Sequence, residues 1–586
     1  MIGYTDASMQ LHPFDLQARA SLAARSLTSL LDSQRDGLMY FLAAWRARPP
    51  RADHCLWDCG DGSGRHIDAL TLARAMLPAA WPEASPDAGE AQLEAWMMRL
   101  LGAEGLTWLT KEPWSYPWGA DMLLRDWQPG EPLAEISWAQ RGTLLGLTTR
   151  FLHTGDERYR AAGQDMIDGL LRVAARHADG LYYPEDYYRP SGWHHHLPGL
   201  YPGIEEYNAA AIVPAMRFYA ATGYAPALEL AEGLVRFALK HTQGYMPDGR
   251  LRASENAGGT EGHFHTRTNF ILGALELGLR ADRREVVSWA LQSYDHAREW
   301  GTDFGWFPEG LGHRHGEICC TTDMIEIALL LGKHVNRGYY ADAERFGRNH
   351  LLESQFLSLA QLQQAVARLP EDASPPPYEG RYSTCEGVAE SQIGAFAARS
   401  TLNDAFHTDA PAMMQCCNAA GTRGVWDLWQ HAVEEESPGK LDVHLRFSAE
   451  TPAVRVVSHE PADGRLDITP RQDAHIAVRL PGGERQAIVI LHGSGEPQVL
   501  SLEASRGYVE FDAPANRRAE VRYPMAERIA HYEVGAPDKS LHCTGYWRGE
   551  TLMRVDPPGP FYPLYQRSRD VPPAEPHLPL GRRRQD

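Results

Sequence analysis

The sequence has 586 residues, of which 43% are hydrophobic and 23% are charged, and its formal net charge is −19. This composition is typical of a globular protein and excludes a disordered chain, while the length exceeds what one hydrophobic core usually supports. The acidic excess repels phosphate groups, so we expect no nucleic-acid partner. No stretch of about 18 uninterrupted apolar residues is present, so we expect no membrane partner.

The first residues, Met1–Asp6, lack a basic segment followed by an apolar run, so no secretory signal is visible. We therefore expect a cytoplasmic protein, in which thiols stay reduced. Four of the eight cysteines form the adjacent pairs Cys319-Cys320 and Cys416-Cys417, and adjacent cysteines rarely bridge to each other. The cysteines therefore indicate metal binding or catalysis rather than a disulfide framework.

Helical periodicity dominates residues 1–435. Apolar residues repeat at helical spacing over residues 140–177, and a turn at Gly155-Asp156 divides this stretch into two helices. The same pattern recurs over residues 210–241, where Thr222-Gly223 is the break. Helical hairpins joined by longer loops predict an (α/α)6 toroid, with the longer loops gathered at one mouth.

Alternation of apolar and polar residues replaces helical spacing after Glu434–Gly439. Leu441–Phe447 and Ile476–Leu480 alternate in this way, and turn residues separate such runs. This pattern predicts a β-sandwich. We therefore expect two domains, a helical toroid at residues 1–435 and a β-sandwich at residues 436–586.

Two segments carry residues suited to chemistry. In the first, Glu317 and Cys319 precede an apolar helix, and the second contains Cys416 and Cys417. One carboxylate and three thiolates can fill a tetrahedral zinc shell, and zinc deprotonates a coordinated thiol. The spacing of these residues matches no standard zinc finger. The alternative to a metal site is therefore that the adjacent cysteines are small buried residues at helix starts.

The two segments resemble the β-L-arabinofuranosidases of glycoside hydrolase families 127 and 146. In that group a Glu-x-Cys motif opens a helix, as Glu317-Ile318-Cys319 does here. A later Cys-Cys pair precedes a glycine and an arginine, as Cys416-Cys417 precedes Gly421 and Arg423. The resemblance implies a glycosidase that acts on a carbohydrate, namely an oligosaccharide or glycoconjugate of plant or microbial origin.

The resemblance also implies a cofactor and a nucleophile. Zinc would be held by four residues: Glu317, Cys319, Cys416 and Cys417. Cys416 would attack the anomeric carbon in a retaining double displacement through a thioglycosyl intermediate. The oligomeric state is left open, and a homodimer is one option.

The general acid does not follow from the resemblance, because the expected glutamate position holds Gly301. The same loop offers Glu299, Asp303 and Glu309 as proton donors. We favour Glu309, because neighbouring aromatic residues such as Trp306 could desolvate its carboxyl group and raise its pKa. Trp306 is also a candidate sugar-binding residue. Each carboxylate could equally be a solvated loop residue.

Three further residues are candidates for substrate binding: His263, His265 and Arg267. In an extended segment the two histidines would face one side, where imidazole can bind a hydroxyl group or transfer a proton. A structural role competes with this interpretation. The glycine-rich segment Asp58–Arg65 lacks the lysine and the strand of a phosphate-binding loop, so we interpret it as a turn.

Two other functions stay open at this stage. A sugar lyase or epimerase on the same toroid would use His263, His265 or a tyrosine as its base and would not need Cys416. A carbohydrate-binding protein without catalytic activity would keep the fold and lack the acid.

Overall fold

The structure is a computed structural model that describes residues 12–109, 132–193, 204–242, 244–252, 263–310, 312–373, 380, 382–407, 412–535 and 540–568. The α-helices are α1 (Leu16–Ser29), α2 (Asp61–Ala75), α3 (Ala88–Leu100), α4 (Trp138–Thr154), α5 (Glu157–Val173), α6 (Ile204–Thr222), α7 (Ala225–His241), α8 (Phe264–Arg280), α9 (Arg284–Ala297), α10 (Ile318–His334), α11 (Tyr340–Phe346), α12 (Leu359–Arg368), α13 (Val388–Ser391) and α14 (Gln415–Ala432).

Short strands lie between these helices, and longer strands follow them. The short strands are β1 (Leu31–Asp32), β2 (Leu38–Met39), β3 (Leu42–Ala44), β4 (Arg51–Asp53), β5 (Ala134–Glu135), β6 (Ala175–His177), β7 (Gly180–Tyr182), β8 (Tyr187–Tyr188), β9 (Gly316–Glu317), β10 (Ser383–Thr384), β11 (Arg399–Ser400) and β12 (Ala412–Met414). The later strands are β13 (Val433–Ser437), β14 (Lys440–Val443), β15 (Ala449–Glu450), β16 (Val454–Ser458), β17 (Arg465–Pro470), β18 (Ala474–Arg479), β19 (Gln486–Leu491), β20 (Gln498–Glu503), β21 (Tyr508–Ala513), β22 (Ala519–Arg522), β23 (Glu527–Val534), β24 (Leu541–Arg548) and β25 (Thr551–Asp556).

Six helices form a closed inner ring, in the order α2, α4, α6, α8, α10 and α14. Each contacts the next, and α14 contacts α2. Helices α1, α3, α5, α7, α9 and α11 pack around the outside. The predicted (α/α)6 toroid is confirmed, including the closure that periodicity alone does not show. None of the described helices combines the length and the apolar character needed to cross a membrane.

Inner helices such as α8 are buried on all sides, whereas outer helices such as α5 bury one stripe. Every residue of α8 from Phe264 to Gly278 is buried. Close backbone approach makes this possible between α2 and α4, since a Cβ on Gly64 would lie 2.1 Å from the carbonyl carbon of Gly142. The glycine-rich segment Asp58–Arg65 therefore runs into the first turn of α2, where its glycines allow two helices to touch.

A β-sandwich follows the toroid, as predicted. One sheet has the order β13-β14-β18-β21, and the other has the order β15-β16-β17-β22-β19-β20. Their apolar side chains form one core, and buried and half-buried residues alternate along β17. Pairing of β14 with β18 is parallel, while the other ladders in these two sheets are antiparallel.

A third sheet, β23-β24-β25, packs against the helical part instead of completing the sandwich. Trp547 of β24 shares a core with Phe304 and Trp306, which belong to the loop before α10. Arg528 of β23 forms an ion pair of 2.9 Å with Asp303 in the same loop. The strands after residue 436 therefore serve two purposes, a sandwich and a brace for this loop.

Candidate functional site

The predicted ligand residues lie at the starts of two neighbouring inner helices. Glu317 immediately precedes α10, and Cys319 lies in its first turn. Cys416 and Cys417 lie in the first turn of α14, which contacts α10. The positive ends of two helix dipoles therefore point at the thiols, which favours the thiolate form.

The structure brings these side chains into one cluster. The Sγ atom of Cys417 lies 3.5 Å from that of Cys319, 4.0 Å from that of Cys416 and 3.6 Å from Oε1 of Glu317. The sulfur atoms of the three cysteines all lie within 4.8 Å of one another. Cys319 and Cys417 are fully buried, whereas Cys416 is 8% exposed. Of these three cysteines, Cys416 is therefore the one that keeps some accessible surface.

The cluster has the dimensions of a metal site. In a tetrahedral zinc site with Zn–S bonds of about 2.3 Å, neighbouring sulfur atoms are about 3.8 Å apart. The sulfur separations of 3.5 and 4.0 Å lie on either side of that value. Three soft donors with one carboxylate form a donor set that fits zinc rather than magnesium or calcium.

Proton sharing within the cluster also favours Cys416 as a thiolate. Hydrogen bonds with Cys319 and Cys417, together with the Arg65 guanidinium, hold the pKa of Cys416 well below its usual range despite burial. Burial and the neighbouring thiols raise the pKa of Cys417. Of the adjacent pair Cys416 and Cys417, Cys416 is therefore the first to lose its proton.

Cys320 lies outside the cluster although it is adjacent to Cys319. Its Sγ atom is 3.9 Å from the carbonyl oxygen of Pro308 and 3.8 Å from Oε2 of Glu317, and burial raises its pKa well above the usual range. The structure contains no disulfide, and all eight cysteines are among the described residues. Cys320 therefore behaves as a small buried residue.

Glu309, the favoured proton donor, lies beside the cluster but is held in its ionised form. Its Oε2 atom is 2.7 Å from Nε2 of His315, and its Oε1 atom pairs with Arg399. Burial raises the pKa of this carboxyl group, but His315 and Arg399 outweigh burial and hold it well below the usual range. The expected rise in the pKa of Glu309 is therefore wrong.

Trp306 is a core residue and not a sugar platform, which corrects its predicted role. Its side chain is fully buried, and its indole N–H donates to the carbonyl oxygen of Ser400 at 3.0 Å. The other carboxylates of the loop also have different surroundings from those expected. Asp303 pairs with Arg528 and accepts a hydrogen bond of 2.8 Å from Tyr532, while Glu299 is exposed. Neither contacts the cysteine cluster within the described residues.

The three substrate-binding candidates separate into two groups. His263 caps α8, and its Nε2 atom is 2.7 Å from Oε2 of Glu317. His265 packs behind it, with ring centroids 5.8 Å apart. Arg267 points elsewhere and donates to the carbonyl oxygens of Gly244 and Arg252, so it supports a loop. The structure thus brings both histidines, but not Arg267, to the site.

Several residues at the mouth escaped sequence reasoning. Arg65 lies 3.6 Å from Sγ of Cys319 and 3.7 Å from Asp61, one helical turn earlier. Trp138 and Arg141 come from the first turn of α4, and the Arg141 guanidinium lies over the Trp138 ring at 5.3 Å. Asp61 and Arg65 carry opposite charges four residues apart inside the glycine-rich segment, and this spacing could have predicted their contact on one face of a helix.

Comparison with known proteins identifies solved structures with a similar fold. No family model and no curated protein sequence matches the chain. A GH127 β-L-arabinofuranosidase from Geobacillus stearothermophilus T6 is 13% identical, covers 92% of this chain and 80% of its own, and superimposes with a TM-score of 0.53. Another GH127 β-arabinofuranosidase is 12% identical, with coverages of 92% and 81% and a TM-score of 0.55. A third structure, named glycoside hydrolase, is 12% identical, with coverages of 89% and 84% and a TM-score of 0.51. The chain therefore has a GH127-like fold, as the resemblance predicted.

Proposed function

We propose that this chain is a retaining glycoside hydrolase whose nucleophile is the thiolate of Cys416. One observation carries the proposal: Cys416 is the one member of a three-thiol cluster that keeps accessible surface, 8% of the residue, and the cluster favours its deprotonation. A thiolate in the first turn of an inner helix of a toroid with the GH127-like fold is suited to attack an anomeric carbon. The sugar we would test first is a β-L-arabinofuranoside.

The cofactor of the proposed enzyme is zinc. It would be held by four residues: Glu317, Cys319, Cys416 and Cys417. When bound, zinc supplies a positive charge that keeps the cysteine ligands deprotonated at neutral pH. The Arg65 guanidinium, 3.6 Å from Sγ of Cys319, offsets part of the negative charge of three thiolates and a carboxylate.

The surrounding side chains would bind and orient the sugar. Trp138 is half-buried at the start of α4, and its ring would position the Arg141 guanidinium and the His265 imidazole that lie against it. His263 keeps a partly exposed ring, with 27% of its side chain accessible, and can contact a hydroxyl group. Glu309, ionised beside His315, would accept hydrogen bonds from hydroxyl groups.

In the first step Sγ of Cys416 bonds to the anomeric carbon while the bond to the leaving oxygen breaks. That oxygen takes a proton from a general acid. In the second step water attacks the same carbon and gives a proton to the conjugate base of that acid, the carbon–sulfur bond breaks and the thiolate is restored. Two inversions at one carbon give overall retention of configuration.

Metal analysis and a panel of nitrophenyl glycosides test the proposal. We expect one zinc per chain and turnover of at least one glycoside. Cys416→Ala should lower kcat by about 10³-fold or more, because the nucleophile is lost. Cys385→Ala is the matched control, and it should keep both zinc and turnover because Cys385 is a partly exposed free cysteine outside the cluster.

The other functions predict different results. An epimerase or lyase would keep its activity in Cys416→Ala, and a binding protein would hold zinc without turning over any glycoside. Absence of zinc from protein purified without chelator would contradict the proposal. A cytoplasmic location and a homodimer stay predictions, which cell fractionation and light scattering can test.

A further inference from the structure

A small cavity lies inside the inner ring, one helical turn beyond the cysteine cluster. All six inner helices contribute to its wall, with Arg65 on α2, Arg141 on α4, Val213 on α6, His265 on α8, Asp323 on α10 and Ala420 on α14. Asp323 and Ala420 follow Cys319 and Cys416 by four residues, and no cysteine lines the cavity. The space admits water molecules or a small ion, whereas a sugar ring does not fit.

Arg141 brings an uncompensated positive charge to this wall. Only 6% of the residue is exposed, and its Nε and Nη1 atoms have no hydrogen-bond partner among the described residues. The Trp138 ring lies 5.3 Å from the guanidinium, but contact with an aromatic face offsets only part of a buried charge. Burial, with repulsion from Arg65, lowers the pKa of Arg141 to about 10, although Asp323 and Asp61 oppose this shift.

The other three arginines of the wall already have carboxylate partners. The pairs are Arg65 with Asp61 at 3.7 Å, Arg217 with Glu326 at 2.5 Å and Arg423 with Asp68 at 2.5 Å. Asp323, the remaining carboxylate of the wall, accepts hydrogen bonds from His265 and Thr268 on one oxygen. Within the part of the chain that the structure describes, Arg141 is therefore the guanidinium of this wall that lacks an ion pair.

A second group of the wall also lacks a partner. Nε2 of His265 is buried and forms no hydrogen bond with any described residue, while Nδ1 lies 2.7 Å from Oδ2 of Asp323. Two unpartnered buried groups in one cavity indicate a polar occupant. Water could form hydrogen bonds with both groups, but it carries no charge to offset Arg141, and an uncompensated buried charge is costly. An anion therefore fits this cavity better than water alone.

We propose that the cavity binds one chloride ion, or a halide of similar size, between the guanidinium groups of Arg141 and Arg65. A monovalent anion matches the single uncompensated charge, whereas a divalent anion such as sulfate would leave an excess of negative charge in the wall. The ion links α2 to α4, the two helices that Gly64 and Gly142 allow to touch. The proposal does not depend on the proposed function, because the ion stabilises the ring whether or not Cys416 reacts.

Thermal unfolding of the full chain in sodium salts of equal ionic strength tests the proposal. We expect the wild-type melting temperature to be about 2 °C higher in saturating chloride than in gluconate, which is too large for the cavity. Arg141→Met should melt at the same temperature in both salts, because the charge that binds the ion is gone. Arg150→Met is the matched control on the same helix: Arg150 is also buried but pairs with Glu90 and Glu94, so this variant should keep the chloride effect.

Bromide locates the ion directly, because it scatters X-rays anomalously. In crystals soaked in sodium bromide we expect an anomalous peak between Arg141 and Arg65 in the wild-type chain. Arg141→Lys retains a positive charge and should keep part of the chloride effect. The proposal is overturned if the wild-type chain melts at the same temperature in chloride and gluconate, if Arg141→Met keeps the chloride effect, or if the cavity holds only water in bromide. The wild-type measurements decide the question even where Arg141→Met does not fold.

Discussion

The inner ring and the β-sandwich bury polar residues in opposite ways. Residues of α8 are buried on every side of the helix, so its polar side chains, His265 and Asn269 among them, lie inside the protein. Strand β17 instead directs alternate residues away from the core. A polar residue in the sandwich is mostly a solvent-facing one, whereas a polar residue in the ring needs an internal partner or a function.

We expect the largest effect on stability where the helical part meets the β-sandwich. Glu344 of α11 is fully buried and pairs with Arg348, Arg446 and Arg479. Glu344→Ala leaves buried guanidinium groups with fewer partners, so we expect the free energy of unfolding to fall by about 3–5 kcal/mol. Chemical denaturation measures this loss, and Glu510→Ala on the exposed face of β21 should change it by less than about 0.5 kcal/mol.

Within the sandwich, the two faces of the sheets should respond differently. Ile476 of β18 is fully buried, so Ile476→Ala should cost about 3 kcal/mol. Ile488 of β19 is 47% exposed, and Ile488→Ala should cost well under half as much. Equal losses in urea denaturation would show that the alternation does not separate core from surface.

The loops at the ring mouth should make stability depend on pH. His54 is fully buried between Asp58, at 2.6 Å, and Asp32, at 3.2 Å. Burial disfavours its charged form, but the two carboxylates outweigh burial and raise the pKa of His54 to about 9. Since the unfolded value is about 6.5, its contribution is complete below pH 6.5 and is lost as pH rises through 9.

The loss between those pH values should reach at most about 3 kcal/mol. Thermal unfolding at a series of pH values measures it, and His54→Gln should flatten the curve across this window. A wild-type melting temperature that stays constant from pH 6.5 to 9 would contradict the assignment.

The smallest effect is expected at the contact between α2 and α4. A Cβ on Gly142 would lie 2.5 Å from the carbonyl oxygen of Asp61, so Gly142→Ala must push two backbones apart. We expect a loss of about 2 kcal/mol. Gly495→Ala after β19 is the control, because no atom lies within 4 Å of its added methyl group. A similar shift in both melting temperatures would show that the ring tolerates wider spacing.

Local periodicity predicted most of the fold. The hairpins around Gly155 and Thr222-Gly223, and the strands near residues 441 and 476, are where the sequence pattern placed them. Closure of the inner ring could not be predicted from local periodicity, because it depends on contacts between helices far apart in sequence. The third sheet was also missed, since alternation identifies a strand but not the surface on which its sheet packs.

The candidate site likewise has a part that the sequence predicted and a part that it did not. The cysteine cluster was predicted through the resemblance, but its assembly depends on α10 and α14 being neighbours in the ring, with Cys319 and Cys417 98 positions apart. The environment of Glu309 depends on Arg399, a residue 90 positions later. The prediction that Trp306 binds sugar was wrong, because nothing in the neighbouring sequence indicates that this residue packs against the third sheet.

The brace formed by β23–β25 has a consequence for biosynthesis. The loop that leads into Glu317 packs against Trp547 and Tyr565, which leave the ribosome long after the ring helices. Domains fold in the order in which they are made, so the inner ring can form while this loop still lacks its support. We therefore expect the proposed zinc ligands to reach their final positions late, so that a metal bound there would be acquired as one of the last events of maturation.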